Sequence, residues 1–152
     1  MFRGVNAINI DDKGRMAIPT RYRDRLKVEA SGQLIVTIDT SMRCLLLYPL
    51  PDWETIEKKV EALPSFNPEA RRIQRLLIGH ATEVEMDGHG RVLIAPPLRD
   101  YANLQKAVML VGQGKKFEIW DETSWQDTRE QWIKEGLGAT GTLPPELESL
   151  SL

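Results

Sequence analysis

Two short segments of the chain place an acid four residues before an arginine, with a glycine between them. They are Asp11-Asp12-Lys13-Gly14-Arg15 and Asp87-Gly88-His89-Gly90-Arg91. A turn between two strands needs glycine and a small polar residue, but it does not need arginine. A guanidinium is a planar fork that matches a phosphate group or the major-groove edge of guanine. The segments therefore predict anion binding, and an ion pair that only staples each turn is the alternative.

The charge around the first segment favours an anion as its partner. Residues 1–27 hold seven cations against three acids, a net charge of +4, whereas residues 117–152 hold two cations against eight acids, a net charge of −6. Clustered like charges repel one another unless an anion is present, and double-stranded DNA is the polyanion that such a face would meet. The candidate DNA-binding residues are Arg15, Lys13, Arg3, Arg21, Arg23 and Arg91, and the residues expected to build the turns are Asp11, Gly14, Asp87 and Gly90.

The two segments are not equal in charge. The second has His89 where Lys13 stands in the first, and Pro96-Pro97 where Thr20-Arg21 stand. The first segment is therefore expected to make most of the phosphate contacts, and Arg91 is predicted to be chiefly structural or auxiliary.

The residues support a catalytic function less well than they support DNA binding. His80 and His89 are the only histidines and have no metal-ligand spacing, and Cys44 stands within an apolar run that is typical of a buried strand. No catalytic residue, metal or cofactor is expected. An enzyme that uses the paired acidic segments is the remaining alternative from this class, and it would need a defined pocket.

The two segments belong to an internal repeat with an offset of 76 residues. Residues 10–18 align without a gap with residues 86–94, and Arg23-Asp24 falls on Arg99-Asp100. Each repeat has a strand, the glycine turn, a second strand, a proline and a short helix, followed by a hairpin. The hairpins pair residues 34–38 with 45–48 and residues 108–111 with 117–120. The pattern predicts an α+β fold built from two similar β-rich halves.

Helices are expected around this unit. Thr20 is the predicted N-cap of the short helix in the first repeat, and Asp52 the predicted cap of a helix that buries Trp53. Asn67-Pro68-Glu69 predicts another helix start, with an end near Gly79. The predicted division is residues 5–52 for the first repeat, 53–80 for a helical connection, 81–124 for the second repeat and 125–152 for a C-terminal helix, over about 125–135, with a loose acidic tail.

Bulk properties predict an ordinary cytoplasmic protein. A chain of 152 residues fits one compact domain or two small halves that share a core. Its single cysteine fits a reducing interior, and no apolar run approaches the ~20 residues that span a bilayer. No membrane partner is expected.

These motifs resemble the MraZ family. The resemblance rests on the opening Met-Phe-Arg-Gly, on residues 46–53 (LLYPLPDW) and 75–81 (RLLIGHA), and on both Asp-x-x-x-Arg segments, and it runs from Met1 to about Trp125. It implies two swapped-hairpin halves of the AbrB/SpoVT type, fused into one pseudo-twofold β-barrel with flanking helices. It further implies binding to promoter repeats upstream of its own operon of division and cell-wall genes, repression of that operon, ring-shaped homo-oligomers and association with the nucleoid. Arg15 matches the family's main DNA-contacting position.

Two alternatives of other classes stay open at this point. An antitoxin-like module of the same fold would bind DNA with its barrel and a toxin with its tail, although such chains usually supply one half per subunit. A purely structural ring is the other, and the arginine-rich first segment weakens it.

Overall fold

The computed structural model describes residues 1–138, 141 and 143–152, which form two compact units, residues 1–122 and 123–152. The strands lie in the first unit: β1 (Phe2–Asn9), β2 (Arg15–Ala17), β3 (Gln33–Ile38), β4 (Leu45–Pro49), β5 (Thr82–Glu85), β6 (Arg91–Leu93), β7 (Ala107–Gly114) and β8 (Phe117–Asp121). Its helices are α1 (Thr20–Ala30), α2 (Leu50–Glu61), α3 (Pro68–Ile73), which continues as a π-helix over Gln74–Ile78, and α4 (Pro96–Tyr101). The second unit contains most of α5 (Glu122–Glu135), and α6 (Pro145–Glu148).

The strands form two antiparallel sheets. The larger has the order β1-β7-β8-β4-β3-β5, and β2 pairs with β6 in a short two-stranded ribbon. Both predicted hairpins are present, since β3 pairs with β4 and β7 with β8. No ladder joins β1 to β5 among the described strands, so the large sheet is open. The predicted closure into a barrel is therefore wrong, while the mixed α+β class is confirmed.

Strands from the two predicted repeats interleave. The first strand of each repeat pairs with the hairpin of the other, because β1 pairs with β7 and β5 pairs with β3. The ribbon β2–β6 and the pair β4–β8 also join one strand from each repeat. Neither predicted repeat therefore completes a sheet with its own strands alone.

One apolar core fills the space beneath these strands. Met16 of β2 and Val92 of β6 are almost fully buried in it, together with Leu26 of α1 and Leu98 of α4. A second cluster lies on the other face of β3 and β4, where Trp53 of α2 packs with Ile35, Leu46, Tyr48 and Leu77. The expectation that Trp53 is a core residue is confirmed. Burial of both faces explains why the central strands are almost continuously apolar.

Helix starts differ from the sequence predictions at two positions. Thr20 is the first residue of α1 and Pro19 its cap, without a side-chain hydrogen bond. Asp52 lies in the first turn of α2, which begins at Leu50 after Pro49. In both cases the proline already holds the extended backbone that precedes a helix, so no capping side chain is needed. The prediction at Asn67 is confirmed, since its side chain accepts hydrogen bonds from the amides of Glu69 and Ala70.

The C-terminal unit begins earlier than predicted and includes a second short helix. α5 starts at Glu122 rather than near Trp125, and the rings of Trp125 and Trp132 meet edge to face at 6.3 Å between centroids. The region predicted to be a loose tail contains α6, and residues 139, 140 and 142 of it lie outside the described residues. No helix in the described part of the chain is long and apolar enough to cross a membrane.

Candidate nucleic-acid interface

The first Asp-x-x-x-Arg segment folds into a tight turn between β1 and β2, here called the Asp11 turn (residues 11–15). One carboxylate oxygen of Asp11 accepts hydrogen bonds from the backbone amides of Lys13 and Arg15, both at 2.9 Å. The other accepts the Nε–H of Arg15 at 2.9 Å. The amide of Gly14 donates to the Asp11 carbonyl at 3.0 Å. Through these hydrogen bonds the Asp11 carboxylate organises the turn and orients the Arg15 side chain.

The second segment repeats this geometry in the Asp87 turn (residues 87–91). The carboxylate of Asp87 accepts hydrogen bonds from the backbone amides of His89 and Arg91, at 2.8 and 2.9 Å, and from the Nε–H of Arg91 at 3.1 Å. The amide of Gly90 donates to the Asp87 carbonyl at 3.0 Å. The Asp11 and Asp87 turns are thus alike in their bonding, and charge is the larger difference between them.

These bonds lower the pKa of both carboxyl groups. The hydrogen bond from the Arg15 amide is the largest cause for Asp11, and the amide of Arg91 is the largest cause for Asp87. Hydrogen bonds to a carboxylate favour its charged form. Both acids are therefore ionised near neutral pH and hold the Nε of their arginines. Each ion pair engages Nε, which leaves the two terminal nitrogens of the guanidinium available to a ligand.

The ribbon β2–β6 brings the two arginines onto one surface. Arg15 lies opposite Leu93 and Ala17 lies opposite Arg91, while the central pair Met16–Val92 points into the core. Because side chains alternate along a strand, the other four residues share the outer face. Arg15 and Arg91 are diagonal neighbours across the ribbon, with their Cα atoms about 7–8 Å apart. We call this outer face, made of Arg15, Ala17, Arg91 and Leu93, the ribbon face.

An arginine from a helix covers each turn. The guanidinium of Arg99 lies against Gly14, and a Cβ at that glycine would be 3.0 Å from the Arg99 Cζ. Arg23 lies against Gly90, where a Cβ would be 2.5 Å from Cδ and 2.6 Å from Cζ. Both glycines have positive φ, +84° and +74°. Arg99 was not among the site residues predicted from the sequence, although the alignment of Arg23 with Arg99 in the repeat was a signal for it.

Other predicted residues lie elsewhere. Lys13 is exposed in the Asp11 turn. Arg3 lies near the start of β1, whereas Arg21 stands in the first turn of α1 and donates to the side chains of Asn6, in β1, and Tyr22. The eight-residue strand β1 separates Arg3 from the Asp11 turn by about 26 Å. The structure therefore brings Arg15, Lys13, Arg23 and Arg91 to the ribbon region and leaves Arg3 at the far end of β1, while the Arg21 guanidinium is engaged by Asn6 and Tyr22.

One group of residues in the described part of the chain has metal-ligating side chains within reach of one another. The ligand atoms of Asp39, Cys44 and Glu118 all lie within 4.8 Å. Asp39 already accepts the amides of Ser41 and Met42, and Glu118 accepts the indole N–H of Trp120. Burial raises the pKa of the Cys44 thiol, with the two carboxylates as further causes. The geometry therefore explains this group as a buried thiol beside two carboxylates that already have partners.

Comparison with known proteins points to one family. A family model described as "MraZ protein, putative antitoxin-like" matches residues 1–76 and 77–140. A relative from Coxiella burnetii is 62% identical over 152 residues, which is all of both chains. Relatives from Halorhodospira halophila and Legionella pneumophila are 57% identical over 152 residues, again across the whole of both chains. Each of these relatives is named transcriptional regulator MraZ.

Proposed function

Because the chain belongs to the MraZ family, we propose that it is a sequence-specific DNA-binding regulator of transcription. The proposed target is the promoter region of its own operon, bound at repeated sites, with repression as the outcome. The names of the relatives support transcription regulation as the class of function. The same names argue against catalysis as the main activity.

The observation that carries the proposal is the ribbon face. It presents two arginines whose Nε atoms are held by carboxylates while the terminal nitrogens are left for a ligand. The Arg15 and Arg91 side chains are 29% and 34% exposed, so a ligand can reach them without a rearrangement of the turns. Leu93, which is 52% exposed, is paired with Arg15 and stands two residues after Arg91 on β6, and it suits contact with a thymine methyl group. An ion pair that only stapled the turn would not need both arginines on one outward face.

The Asp11 turn makes most of the phosphate contacts in this proposal. Lys13 adds a second cation there, whereas His89 occupies the corresponding place in the Asp87 turn. Arg91 is the auxiliary contact on the same face. Arg3, which lies far from the ribbon, and Arg21 bind the backbone of a longer duplex, or that of a site bound by a neighbouring subunit.

The proposal extends to architecture and assembly. The halves are two interleaved swapped-hairpin repeats with pseudo-twofold symmetry, which the crossed pairing of β1 with β7 and of β5 with β3 supports. Homo-oligomeric rings would place several ribbon faces side by side, and repeated promoter sites would then be bound together. The protein would act in the cytoplasm, at the nucleoid.

A binding titration tests the function. Fluorescence anisotropy is measured with a duplex from upstream of the protein's own gene and with an unrelated duplex of equal length, at one fixed salt concentration. Arg15→Ala is expected to weaken specific binding by on the order of tenfold or more, and Arg91→Ala by less. Arg72→Ala is the matched control, since that exposed arginine of α3 pairs with Glu69. Equal affinity of wild type for both duplexes, or of Arg15→Ala and wild type for the specific one, would refute the proposal.

A further inference from the structure

We propose that Arg99 and Arg23 are positioning residues, each of which holds the turn of the other predicted repeat in the form that presents its arginine. Arg99 belongs to the second repeat and holds the Asp11 turn, whereas Arg23 belongs to the first repeat and holds the Asp87 turn. The inference rests on the proposed function, since the purpose of the arrangement is to present Arg15 and Arg91 to DNA.

Two contacts from the second repeat reach the Asp11 turn. The backbone amide of Ile94 donates to the carbonyl of Gly14 at 2.9 Å. Arg99 donates its Nε–H to the Ile94 carbonyl at 3.0 Å. Three atoms of its guanidinium group, Cζ, Nη2 and Nε, would all lie within 3.0–3.3 Å of a Cβ added at Gly14. The guanidinium therefore occupies the space that a side chain at residue 14 would fill. Its hydrogen bond to Ile94 connects the Asp11 turn to the residue that follows β6.

The first repeat makes the same two contacts with the Asp87 turn. The amide of Ile18 donates to the carbonyl of Gly90 at 2.8 Å, and the Nε–H of Arg23 donates to the Ile18 carbonyl at 2.6 Å. The side chain of Arg23 then lies against Gly90. Two equivalent sets of contacts in one chain, each from one repeat to the other, indicate a function that both turns share.

The turns need these contacts because few interactions within each turn stabilise its conformation. Each is closed by short-range hydrogen bonds around one exposed or half-exposed aspartate, and water competes for bonds of that kind. The guanidinium shields one side of the turn at its glycine. Lysine could keep the charge at position 99 or 23, but it lacks the planar face and the Nε–H that binds the carbonyl. The arginine type is thus explained by geometry as well as charge.

Hydrogen–deuterium exchange of the DNA-free protein, followed by mass spectrometry, tests the crossed arrangement. Arg99→Ala is expected to speed exchange in a peptide covering residues 10–16 by on the order of tenfold, and Arg23→Ala to do the same in residues 86–92. Arg99→Lys should speed exchange almost as much as Arg99→Ala. Arg72→Ala, the matched control, should change neither peptide. A peptide covering β3 reports global unfolding and should stay unchanged; if Arg99→Ala unfolds it, Arg99→Lys carries the test.

Two exchange results would overturn the inference. One is an effect of Arg99→Ala or Arg23→Ala that stays within the repeat containing the substitution. The other is full protection of residues 10–16 in Arg99→Lys, which would mean that charge alone is required.

A double-mutant cycle separates positioning from direct DNA contact. Arg15→Ala, Arg99→Ala and the double variant are titrated with a duplex from upstream of the protein's own gene. If Arg99 acts through the Asp11 turn, Arg99→Ala should cost about tenfold in affinity alone but less than about twofold in the Arg15→Ala background. Independent, multiplied losses would overturn the positioning role. If the wild type binds no DNA, the proposed function fails by itself, because the exchange measurement uses the free protein.

Discussion

The glycines of the Asp87 turn provide a matched pair of substitutions within one loop. Gly90 has a φ of +74° and lies under Arg23. Gly88 has a φ outside the left-handed region, and a Cβ added there would meet no heavy atom within 4 Å. Substitution by alanine adds one methyl group at each position. Gly90→Ala should destabilise the fold, and Gly88→Ala should not.

The magnitude follows from two costs at Gly90. A side chain in the left-handed region costs about 1–2 kcal/mol. The new Cβ also overlaps Arg23, which must move and give up its hydrogen bond to the Ile18 carbonyl. That bond is worth about 1 kcal/mol, since Arg23 is partly exposed and water replaces it in part. Gly90→Ala should therefore lower the free energy of unfolding by about 2–3 kcal/mol. Gly88→Ala should leave it unchanged or raise it by up to about 1 kcal/mol.

Chemical denaturation of the two variants and wild type, followed by tryptophan fluorescence, measures these differences. Gly14→Ala gives an intermediate case, because its Cβ would meet only the end of a flexible side chain, at 3.0 Å. The expected order of loss is Gly90→Ala, then Gly14→Ala, then Gly88→Ala. Equal stability of Gly90→Ala and Gly88→Ala would refute the packing of Arg23 against the turn.

Three further predictions concern the acid, the thiol and the core. In carbon-detected NMR, the pKa of the Asp11 carboxyl should lie below its usual value of about 3.9, and a pKa at or above that value would contradict the turn geometry. The stabilisation of the fold by the ionised carboxylate is present above the usual pKa and is lost as the pH falls through the lower pKa of the folded state. Cys44, buried and with a raised pKa, should resist iodoacetamide at pH 8 in the folded protein and react in denaturant; rapid reaction in the native state would show that the site is open. Leu47→Ala, at a fully buried position of β4, should cost about 2–5 kcal/mol in chemical denaturation, and a loss well below 1 kcal/mol would contradict its place in the core.

Local signals predicted local structure well. The hairpins follow from alternating or continuous apolar residues bounded by turns, and Asn67 before Pro68 marked a helix start correctly. The caps predicted at Thr20 and Asp52 were wrong because a proline stands just before each helix and makes the side-chain cap unnecessary. Such competition between two local signals cannot be decided from residue type alone.

Contacts between segments that are distant in sequence were the features that the sequence predicted least well. The pairing of β1 with β7 brings together residues more than 90 positions apart, and no local pattern encodes whether the sheet then closes. Arg3 and Arg15 were grouped because they are close in sequence, but the extended strand between them separates them in space. Arg99 was missed for the opposite reason, since it lies far from Gly14 in sequence and against it in the fold.

The salt dependence of DNA binding tests the central claim most directly. The logarithm of the association constant is measured against the logarithm of salt concentration for wild type, Arg15→Ala and the control Arg72→Ala, with the upstream duplex. Each phosphate that the protein neutralises contributes about 0.9 to the slope. We expect Arg15→Ala to bind more weakly and with a slope shallower by about 0.9, while Arg72→Ala matches wild type. An Arg15→Ala variant with the affinity and slope of wild type would contradict the role of Arg15 in binding DNA.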